Sequence, residues 1–337
     1  MPVTVTDVAK AAGMSQPAVS QILNGSTRYK ATSIAKVFAA AERLGYKPNT
    51  HARTLRSGRF GAVAYLLPPV SADQAGWLQE QLLIGMEAAL AADNRHLVVA
   101  HLPDEQRSSS GDVPKMLRQW MVDAFVIDHS YITPPSIIEM MERSPVPCAW
   151  LNIDRPTDVV RCDEIAASRQ ATDILLARGH RRIAFLDYSR DPQTGSWHFS
   201  NQMRLQGYQE AMTAAGLPAR WIGGDIQSEV IAFTRAWLSK DDRPTAVVSY
   251  SAELVHPLAQ SLAFCGHNLG RELSFISFGT TNWMGRQRVD LMITPSRAVG
   301  ENVINLLDAK IVAGSPQPTR LLPMTYCAGS TIGPPPT

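Results

Sequence analysis

The sequence predicts a small all-α head at the N-terminus, followed by a larger α/β body built from two subdomains. Within the first 46 residues, apolar side chains recur at helical spacing. From residue 61 onward, apolar runs alternate with amphipathic segments, which indicates parallel sheets with crossover helices. This second part has about 275 residues and exceeds the usual size of one compact core, so two subdomains are expected.

Residues 6–25 of the head predict two short helices joined by a tight turn. Each helix carries apolar residues four positions apart, and these residues are Val8, Ala12, Val19 and Leu23. Gly13 lies where the turn can adopt a positive φ. Ser15 suits the N-cap of the second helix, and Pro17 lies in its first turn, where a missing N–H costs little. This helix-turn-helix arrangement places the start of the second helix in the major groove of DNA.

A third helix is predicted over residues 32–44. Its apolar stripe consists of Ile34, Val37, Phe38 and Ala41. Gly45 stands at its C-terminal end, and Pro48 prevents its continuation. The three helices together can enclose a small core.

Charge is distributed unevenly along the chain. Residues 1–60 contain nine Lys and Arg against Asp7 and Glu42, a net charge of +7, whereas the whole chain carries +2 and the remainder therefore −5. A basic head on an acidic body is typical of a segment that docks on phosphates. The alternative is a chance bias of a solvated surface, but the basic segment coincides with the helix-turn-helix pattern.

The head and the residues after it closely resemble the LacI/GalR family of bacterial transcription regulators. The matching motifs are VTDVA at 5–9, AGMS at 12–15, AVS at 18–20, LNG at 23–25, LGYKPN at 44–49 and ARTLR at 52–56. Looser matches follow at 179–184, 204–208, 244–246 and 330–331. The resemblance implies a helix-turn-helix head (1–46), a hinge helix (47–58) and a two-lobed, periplasmic-binding-protein-like domain for effector binding and dimerisation (59–332). In that architecture the chain crosses between the lobes several times.

The resemblance also implies which side chains contact DNA. The residues at the base-contacting positions are Gln16, Pro17 and Gln21. Glutamine can pair bidentately with adenine, whereas proline offers only apolar contact. Many members carry arginine at the position of Gln21, so we expect an operator unlike the family's commonest one at that base pair. The positions that hold the phosphate backbone in the family are here Thr4, Ser15 and Asn24.

Residues 49–57 look like the hinge helix of the family, and this short segment should be marginal on its own. In relatives the hinge orders on DNA and inserts a leucine into the minor groove, which kinks the duplex; here that residue is Leu55. Arg56 beside it can follow the negative potential of the groove. The alternative is a plain linker, although Leu55 has no other core to join.

The body predicts two series of strands. They cover 61–67, 95–102, 124–128 and 146–152 in the first, and 183–186, 246–249 and 274–278 in the second. Helices are predicted at 77–92, 167–178, 202–215 and 253–266. A ligand is expected between the strand ends of the two lobes, where crevices form in open α/β sheets. The three prolines at 334–336 predict a frayed tail.

Effector-binding positions implied by the resemblance are Asp154, Arg204, Ser251, Gly279 and Thr280. The family arginine that binds effector oxygens corresponds to Arg204. An Asn-Asp pair of the family is replaced by Ser251-Ala252, and an aspartate is replaced by Gly279. Because a carboxylate is missing while Arg204 is kept, we expect an anionic ligand, a sugar acid or a phosphorylated sugar. Two alternatives stay open: a pocket that binds nothing, and an Arg204 that forms a structural salt bridge.

Motifs of several enzyme and cofactor classes are absent from the sequence. It contains no phosphate loop, no dinucleotide-binding glycine pattern and no His-Glu-x-x-His. The cysteines (Cys148, Cys162, Cys265 and Cys327) lack Cys-x-x-Cys spacing, so we expect reduced thiols, no metal and no cofactor. His180 is expected to be structural. Without a signal peptide or a bilayer-spanning apolar stretch, a cytoplasmic location is expected.

Taken together, these features predict a transcription regulator, most often a repressor in this family. It would bind a pseudo-palindromic operator as a homodimer under control of a sugar, a sugar acid or a related metabolite, as inducer or corepressor. One alternative is a sensing module whose head contacts another protein, for which replacing Gln16, Gln21 and Leu55 would leave function intact. The other is a carbohydrate-active enzyme, but no paired acid and base is visible.

Overall fold

The computed structural model describes residues 3–23, 25–46, 59–67, 79–102, 121–128, 135–188, 198–223, 230–281, 283–284 and 287–336. Contacts divide the chain into two compact units, Met1–Gly61 and Ala62–Thr337. Residues 47–58, predicted as the hinge, lie outside the described residues. The finer domain boundaries therefore stay a prediction.

The first unit contains three helices, α1 (Val5–Ala12), α2 (Gln16–Leu23) and α3 (Ala31–Arg43). Gly13 ends α1 at a φ of +63°, as predicted for the turn. Ser15 caps α2, since its hydroxyl accepts a hydrogen bond from the Ala18 N–H at 3.4 Å. The sequence prediction of the helix-turn-helix is thus confirmed in its local geometry.

The core of the head differs from the prediction at one helix position. Phe38 was expected on the apolar stripe of α3, but 51% of its surface is exposed. Val37 and Ala41 are buried as predicted, and Ala40 is buried in addition. A core of three short helices has room for alanine at their crossing but not for a further phenylalanine, so α3 turns Phe38 outward.

The second unit contains two lobes, each built on a six-stranded sheet. The sheet of lobe 1 is parallel, in the order β13-β5-β4-β3-β1-β2. Its strands are β1 (Ala62–Leu67), β2 (His96–His101), β3 (Ala124–Asp128), β4 (Cys148–Leu151), β5 (Val159–Cys162) and β13 (Arg320–Leu322). Its helices are α4 (Glu80–Ala91) and α5 (Pro135–Glu142), joined by the late helix α10 (Ser296–Ala313), which packs on α4.

The sheet of lobe 2 has the order β14-β12-β9-β8-β6-β7, with β14 antiparallel. Its strands are β6 (Ile183–Asp187), β7 (Arg220–Gly223), β8 (Ala246–Ser249), β9 (Ser274–Gly279), β12 (Asp290–Ile293) and β14 (Thr325–Cys327). A short hairpin, β10 (Trp283–Met284) and β11 (Gln287–Arg288), precedes β12. The helices are α6 (Glu164–Ala177), α7 (Phe199–Ala214), α8 (Val230–Leu238) and α9 (Val255–Phe264), and a 3₁₀ turn (Ala252–Leu254) leads into α9.

Crossovers between the lobes occur after β5, after β12 and after β13, which confirms the expected repeated crossing. In each lobe one helix pair packs closely at a glycine. A Cβ at Gly85 of α4 would lie 2.1 Å from the carbonyl oxygen of Arg297 in α10, and one at Gly207 of α7 would lie 2.2 Å from that of Ile165 in α6. These contacts hold the starts of α6 and α10 at fixed places beside the strand ends.

The C-terminal tail was predicted to be frayed, and this prediction is wrong. Gly333 is buried; its N–H donates to the Ser274 hydroxyl at 3.0 Å, and its carbonyl oxygen lies 3.0 Å from Nε2 of buried His180. Pro335 lies beside the turn at Gly179, where an added Cβ would be 3.6 Å from the proline ring. His180 therefore has the structural role expected of it, because it fixes the tail to lobe 2. No described helix is long and apolar enough to cross a membrane.

Candidate functional site

The three predicted base-contacting residues all lie on α2 with exposed side chains. Gln16 and Pro17 occupy its first turn, and Gln21 follows on the next turn. The amide oxygen Oε1 of Gln21 accepts a hydrogen bond from the hydroxyl of Tyr29 at 2.8 Å. The start of α2 therefore presents polar, unburied groups, as a helix that enters the major groove requires.

Two of the three predicted phosphate-contacting residues can be described, and both serve as helix caps. The backbone N–H and the hydroxyl of Thr4 donate to the Asp7 carboxylate at 2.9 and 2.7 Å. The hydrogen bond from the Thr4 side chain holds the pKa of Asp7 below its usual value. Ser15 caps α2 through its oxygen and keeps its hydroxyl proton for another acceptor. The remaining DNA-contact residues, Asn24, Leu55 and Arg56, lie outside the described residues.

A cleft of about 190 Å³ lies between the two lobes of the second unit. Its walls come from the carboxyl ends of β3, β4, β5, β9 and β12 and from the starts of α4, α6, α7 and α10, as expected for an open α/β sheet. Polar groups in the walls are supplied by Gln79, Asp128, Asn152, Arg161, Glu164, Arg204, Thr280, Thr294 and Ser296. Phe199 contributes an aromatic ring.

Arg204 lies in the cleft as part of a buried ion pair. Its Nε donates to the Glu164 carboxylate at 2.6 Å, and its Nη1 donates to the Tyr250 carbonyl oxygen at 2.8 Å. Its guanidinium carbon also stands 4.3 Å from the ring centroid of Phe278. Only 13% of the Arg204 side chain and 8% of the Glu164 side chain are exposed. Of the two roles considered for Arg204, the salt bridge is observed, and its charge is balanced inside the cleft.

Asp128 supplies a second carboxylate, half-buried at the end of β3. Among the described residues its hydrogen-bond donor is Tyr65, whose hydroxyl lies 2.7 Å from Oδ2. Burial raises the pKa of Asp128 to about 6, and the hydrogen bond from Tyr65 opposes this only in part. Toward the described residues this carboxylate uses one of its several acceptor sites, and its side chain lines the cleft.

The five predicted effector-binding residues do not all meet in the cleft. Arg204 and Thr280 line it. Asp154 lies outside, 54% exposed and paired with Arg161 at 3.1 Å. The Ser251 hydroxyl accepts from the N–H of Glu253 and caps the 3₁₀ turn. Gly279 is held at the end of β9, where its carbonyl oxygen accepts from the Thr294 N–H at 2.8 Å.

Sequence reasoning missed Glu164, Asp128 and Phe199. Glu164 and Phe199 each open a helix, and Asp128 ends a buried strand, so their places beside a sheet edge could have been inferred. The neighbouring Asn152 adopts a φ of +57°, a conformation that asparagine tolerates better than most residues and that recurs at binding sites.

The arrangement of polar groups in the cleft is suited to binding a small ligand. Carboxylate, hydroxyl and amide groups surround a small space with one aromatic ring, which is typical of pockets for hydroxylated ligands. Burial raises the pKa of the Cys162 thiol to about 12, so this thiol stays protonated and unreactive. Within the described part of the chain, no group of three His, Cys, Asp or Glu side chains could hold a metal ion.

Comparison with known families gives two matches. Residues 4–49 match the bacterial regulatory proteins of the lacI family, and residues 172–332 match the periplasmic binding protein-like domain. The catabolite control protein A of Priestia megaterium is 26% identical over 316 residues, covering 91% of this chain and 92% of that protein. The ribose operon repressor of Escherichia coli is 28% identical over 340 residues, covering 94% and 96%.

Solved structures show the same fold over the full length. A lac repressor dimer bound to operator and the anti-inducer ONPF superposes with a TM-score of 0.73 at 20% identity, covering 98% of this chain and 99% of the repressor. A complex of the transcriptional regulator CelR with cellobiose gives 0.62 at 23% identity, with coverage of 98% and 99%.

Proposed function

The chain belongs to the LacI family of bacterial regulatory proteins, and we propose that it is a transcription repressor that binds a pseudo-palindromic operator as a homodimer and responds to a small carbohydrate in the cleft. The observation that carries the proposal is that a head suited to DNA and a cleft suited to a small ligand occur in one chain. The basic head exposes the polar face of α2, and the body contains a polar cleft at the strand ends.

On the DNA side, Gln16, Pro17 and Gln21 would contact base edges, and Thr4, Ser15 and Asn24 would contact phosphates. Leu55 and Arg56 would occupy the minor groove at the centre of the operator. Replacing Leu55 by alanine should then weaken operator binding and reduce the bend, which a circular-permutation gel-shift assay measures. An unchanged bend would contradict the hinge assignment.

On the ligand side, we propose a neutral, hydroxylated compound such as a monosaccharide or a disaccharide. Asp128 would accept from ligand hydroxyls, and Arg204, held by Glu164, would donate to ligand oxygens. The preference for an anion that the sequence favours has less support, because Glu164 already balances the charge of Arg204. A solved family regulator contains ribose and the CelR complex contains cellobiose, which makes neutral sugars the first compounds to test.

The proposal includes no catalytic step, because the relatives are regulators and regulation requires only that the lobes adopt a different arrangement when the ligand is bound. Ligand binding would favour one arrangement of the lobes and thereby change operator affinity. The site of action would be the cytoplasm, where the operator DNA is found.

The test is a selection of bound fragments from genomic and randomised DNA with the purified full chain. It is repeated with D-ribose, cellobiose, D-gluconate and D-ribose 5-phosphate. We expect one two-fold symmetric site, whose recovery changes with a neutral sugar but not with either anion. The matched variant Gln16→Ala with Gln21→Ala should lose the sequence preference and keep weak, salt-sensitive binding. Recovery of sequence-indifferent DNA by the unmodified chain would instead support a sensing module with an electrostatic head.

A further inference from the structure

The hydrogen bond between Tyr29 and Gln21 joins an exposed side chain on α2 to a residue anchored in the head core. Gln21 is exposed, whereas Tyr29 is half-buried and its ring packs against the core of the head. The Tyr29 hydroxyl is therefore held in place by the packing of its own ring, and it donates to Oε1 of Gln21 at 2.8 Å. Sequence reasoning considered Gln21 by itself and did not find this partner, eight residues further along the chain.

The two ends of a glutamine amide have nearly the same shape and opposite hydrogen-bonding character. A half-turn about the last side-chain torsion exchanges the acceptor Oε1 for the donor Nε2. A free glutamine can therefore turn either end toward a base. After this half-turn the Tyr29 oxygen could accept from Nε2, but the phenol proton would lose Oε1 as its acceptor. In the structure the phenol proton is donated to Oε1, and this is the orientation in which the amide is held.

With the hydrogen bond to Tyr29 made, the Gln21 amide still has enough donors and acceptors to contact one base. Oε1 has two lone pairs, of which Tyr29 uses one, and no described residue accepts from Nε2. One acceptor and two donors remain, which match the N6 donor and the N7 acceptor of adenine in the major groove. Guanine presents two acceptors there, so a fixed Oε1 would face guanine O6 without a hydrogen between them.

We propose that Tyr29 is a specificity-determining positioning residue, whose hydroxyl fixes the Gln21 amide so that α2 selects adenine over guanine at one base pair of each half-site. This inference rests on the proposed function, in which Gln21 contacts a base. It adds a residue that touches no DNA itself and acts through the orientation of its neighbour.

The experiment compares the unmodified chain with Tyr29→Phe, which keeps the packed ring and removes only the hydroxyl. Affinity is measured by fluorescence anisotropy for the selected operator and for versions with each other base pair at the Gln21 position. We expect the preference for adenine over guanine to fall about tenfold, within the range for a bidentate base contact. Discrimination at other positions and the salt dependence should not change, because no phosphate contact is lost.

Tyr46→Phe is the matched control. Tyr46 also packs half-buried against the head core, and its hydroxyl has no partner among the described residues. Its replacement should leave the preference at every base pair unchanged. In a Gln21→Ala background, Tyr29→Phe should have no effect at this base pair, because the amide that it positions is gone.

An equal adenine preference in Tyr29→Phe and in the unmodified chain would overturn the inference and leave the proposed function standing. A loss of preference that persists in the Gln21→Ala background would also overturn it, since Tyr29 would then act on the head as a whole. If the unmodified chain selects no symmetric site at all, the proposed function fails and the inference fails with it.

Discussion

Two carboxylates in the body, the buried Asp290 and the half-buried Asp128, occupy opposite situations. Asp290 begins β12 and accepts hydrogen bonds from the N–H of Thr331 at 2.8 Å, the Thr331 hydroxyl at 3.0 Å and the N–H of Ile332 at 3.1 Å. Its other oxygen accepts from the Tyr326 hydroxyl. Asp128 ends β3 and, among the described residues, has only Tyr65 as a donor.

The difference distinguishes a carboxylate that holds the fold together from one that we propose to contact the ligand. Asp290 fixes the C-terminal segment to lobe 2 and has no need of a further donor. Asp128 borders the cleft, and burial raises its pKa to about 6 although the hydrogen bond from Tyr65 opposes this shift. Asp128 combines one described donor, a raised pKa and a place at the cleft, and this combination marks a candidate binding residue.

The largest expected effect is on the free energy of unfolding. Asp290→Ala leaves the buried N–H of Thr331 and the half-buried N–H of Ile332 without their acceptor and should lower the free energy of unfolding by about 3 kcal/mol. Urea denaturation followed by circular dichroism measures this loss. Asp128→Ala is the matched control, and we expect it to cost clearly less. Equal losses for both variants would remove the distinction between the two carboxylates.

A pH titration of stability gives the next largest effect. The Asp128 pKa is about 6 in the folded chain and about 3.9 when unfolded, so the folded state binds the proton more tightly. Raising the pH from about 4 to 6 should therefore cost the unmodified chain about 2–3 kcal/mol relative to Asp128→Asn, with no further change above that range.

The comparison of the unmodified chain with Asp128→Asn isolates the contribution of the Asp128 carboxylate to the pH dependence. His180, whose pKa is lowered by burial, gives the opposite slope, with stability lost as the pH falls below about 6.5. Because both proteins contain His180, its contribution cancels in the difference. A difference in unfolding free energy that stays flat between pH 4 and 7 would show that Asp128 titrates normally.

For ligand affinity we expect the opposite order, so that replacing Asp128 has a larger effect than loosening the segment that Asp290 holds. Asp128→Asn replaces an acceptor oxygen by a donor and should weaken binding of the effective sugar at least tenfold, about 1.4 kcal/mol, at neutral pH. Its stability should be equal to or higher than that of the unmodified chain. Isothermal titration calorimetry measures the affinity, and Thr331→Val serves as a control that loosens the tail without touching the cleft.

The smallest expected effects come from the two tyrosine donors. Tyr326→Phe removes one of several donors to Asp290 and should cost about 1 kcal/mol of stability. Tyr65→Phe removes the described donor to Asp128, and the pKa of that carboxyl should rise further, which NMR titration of a selectively labelled protein detects. A downward shift of the Asp128 pKa in Tyr65→Phe would contradict the assigned cause.

Sequence reasoning reached local features better than long-range pairs. The strands Ala124–Asp128 and Ala246–Ser249 and the cap at Ser15 follow from patterns within a few residues. Short strands such as Val159–Cys162 carry too little pattern to be found. Arg204 was identified through the family resemblance, but its partner Glu164 lies 40 residues away and only the packing of α6 on α7 brings the two together.

The most direct test of the account combines the head and the cleft in one measurement. Operator affinity of the full chain is measured by fluorescence anisotropy with and without the sugar that changed recovery in the selection, for the unmodified chain and for Asp128→Asn. The account predicts that the sugar changes operator affinity at least tenfold in the unmodified chain, and that Asp128→Asn binds the operator equally well but needs far more sugar for the same change. An identical sugar dependence in both proteins would contradict the assignment of the cleft as the regulatory site.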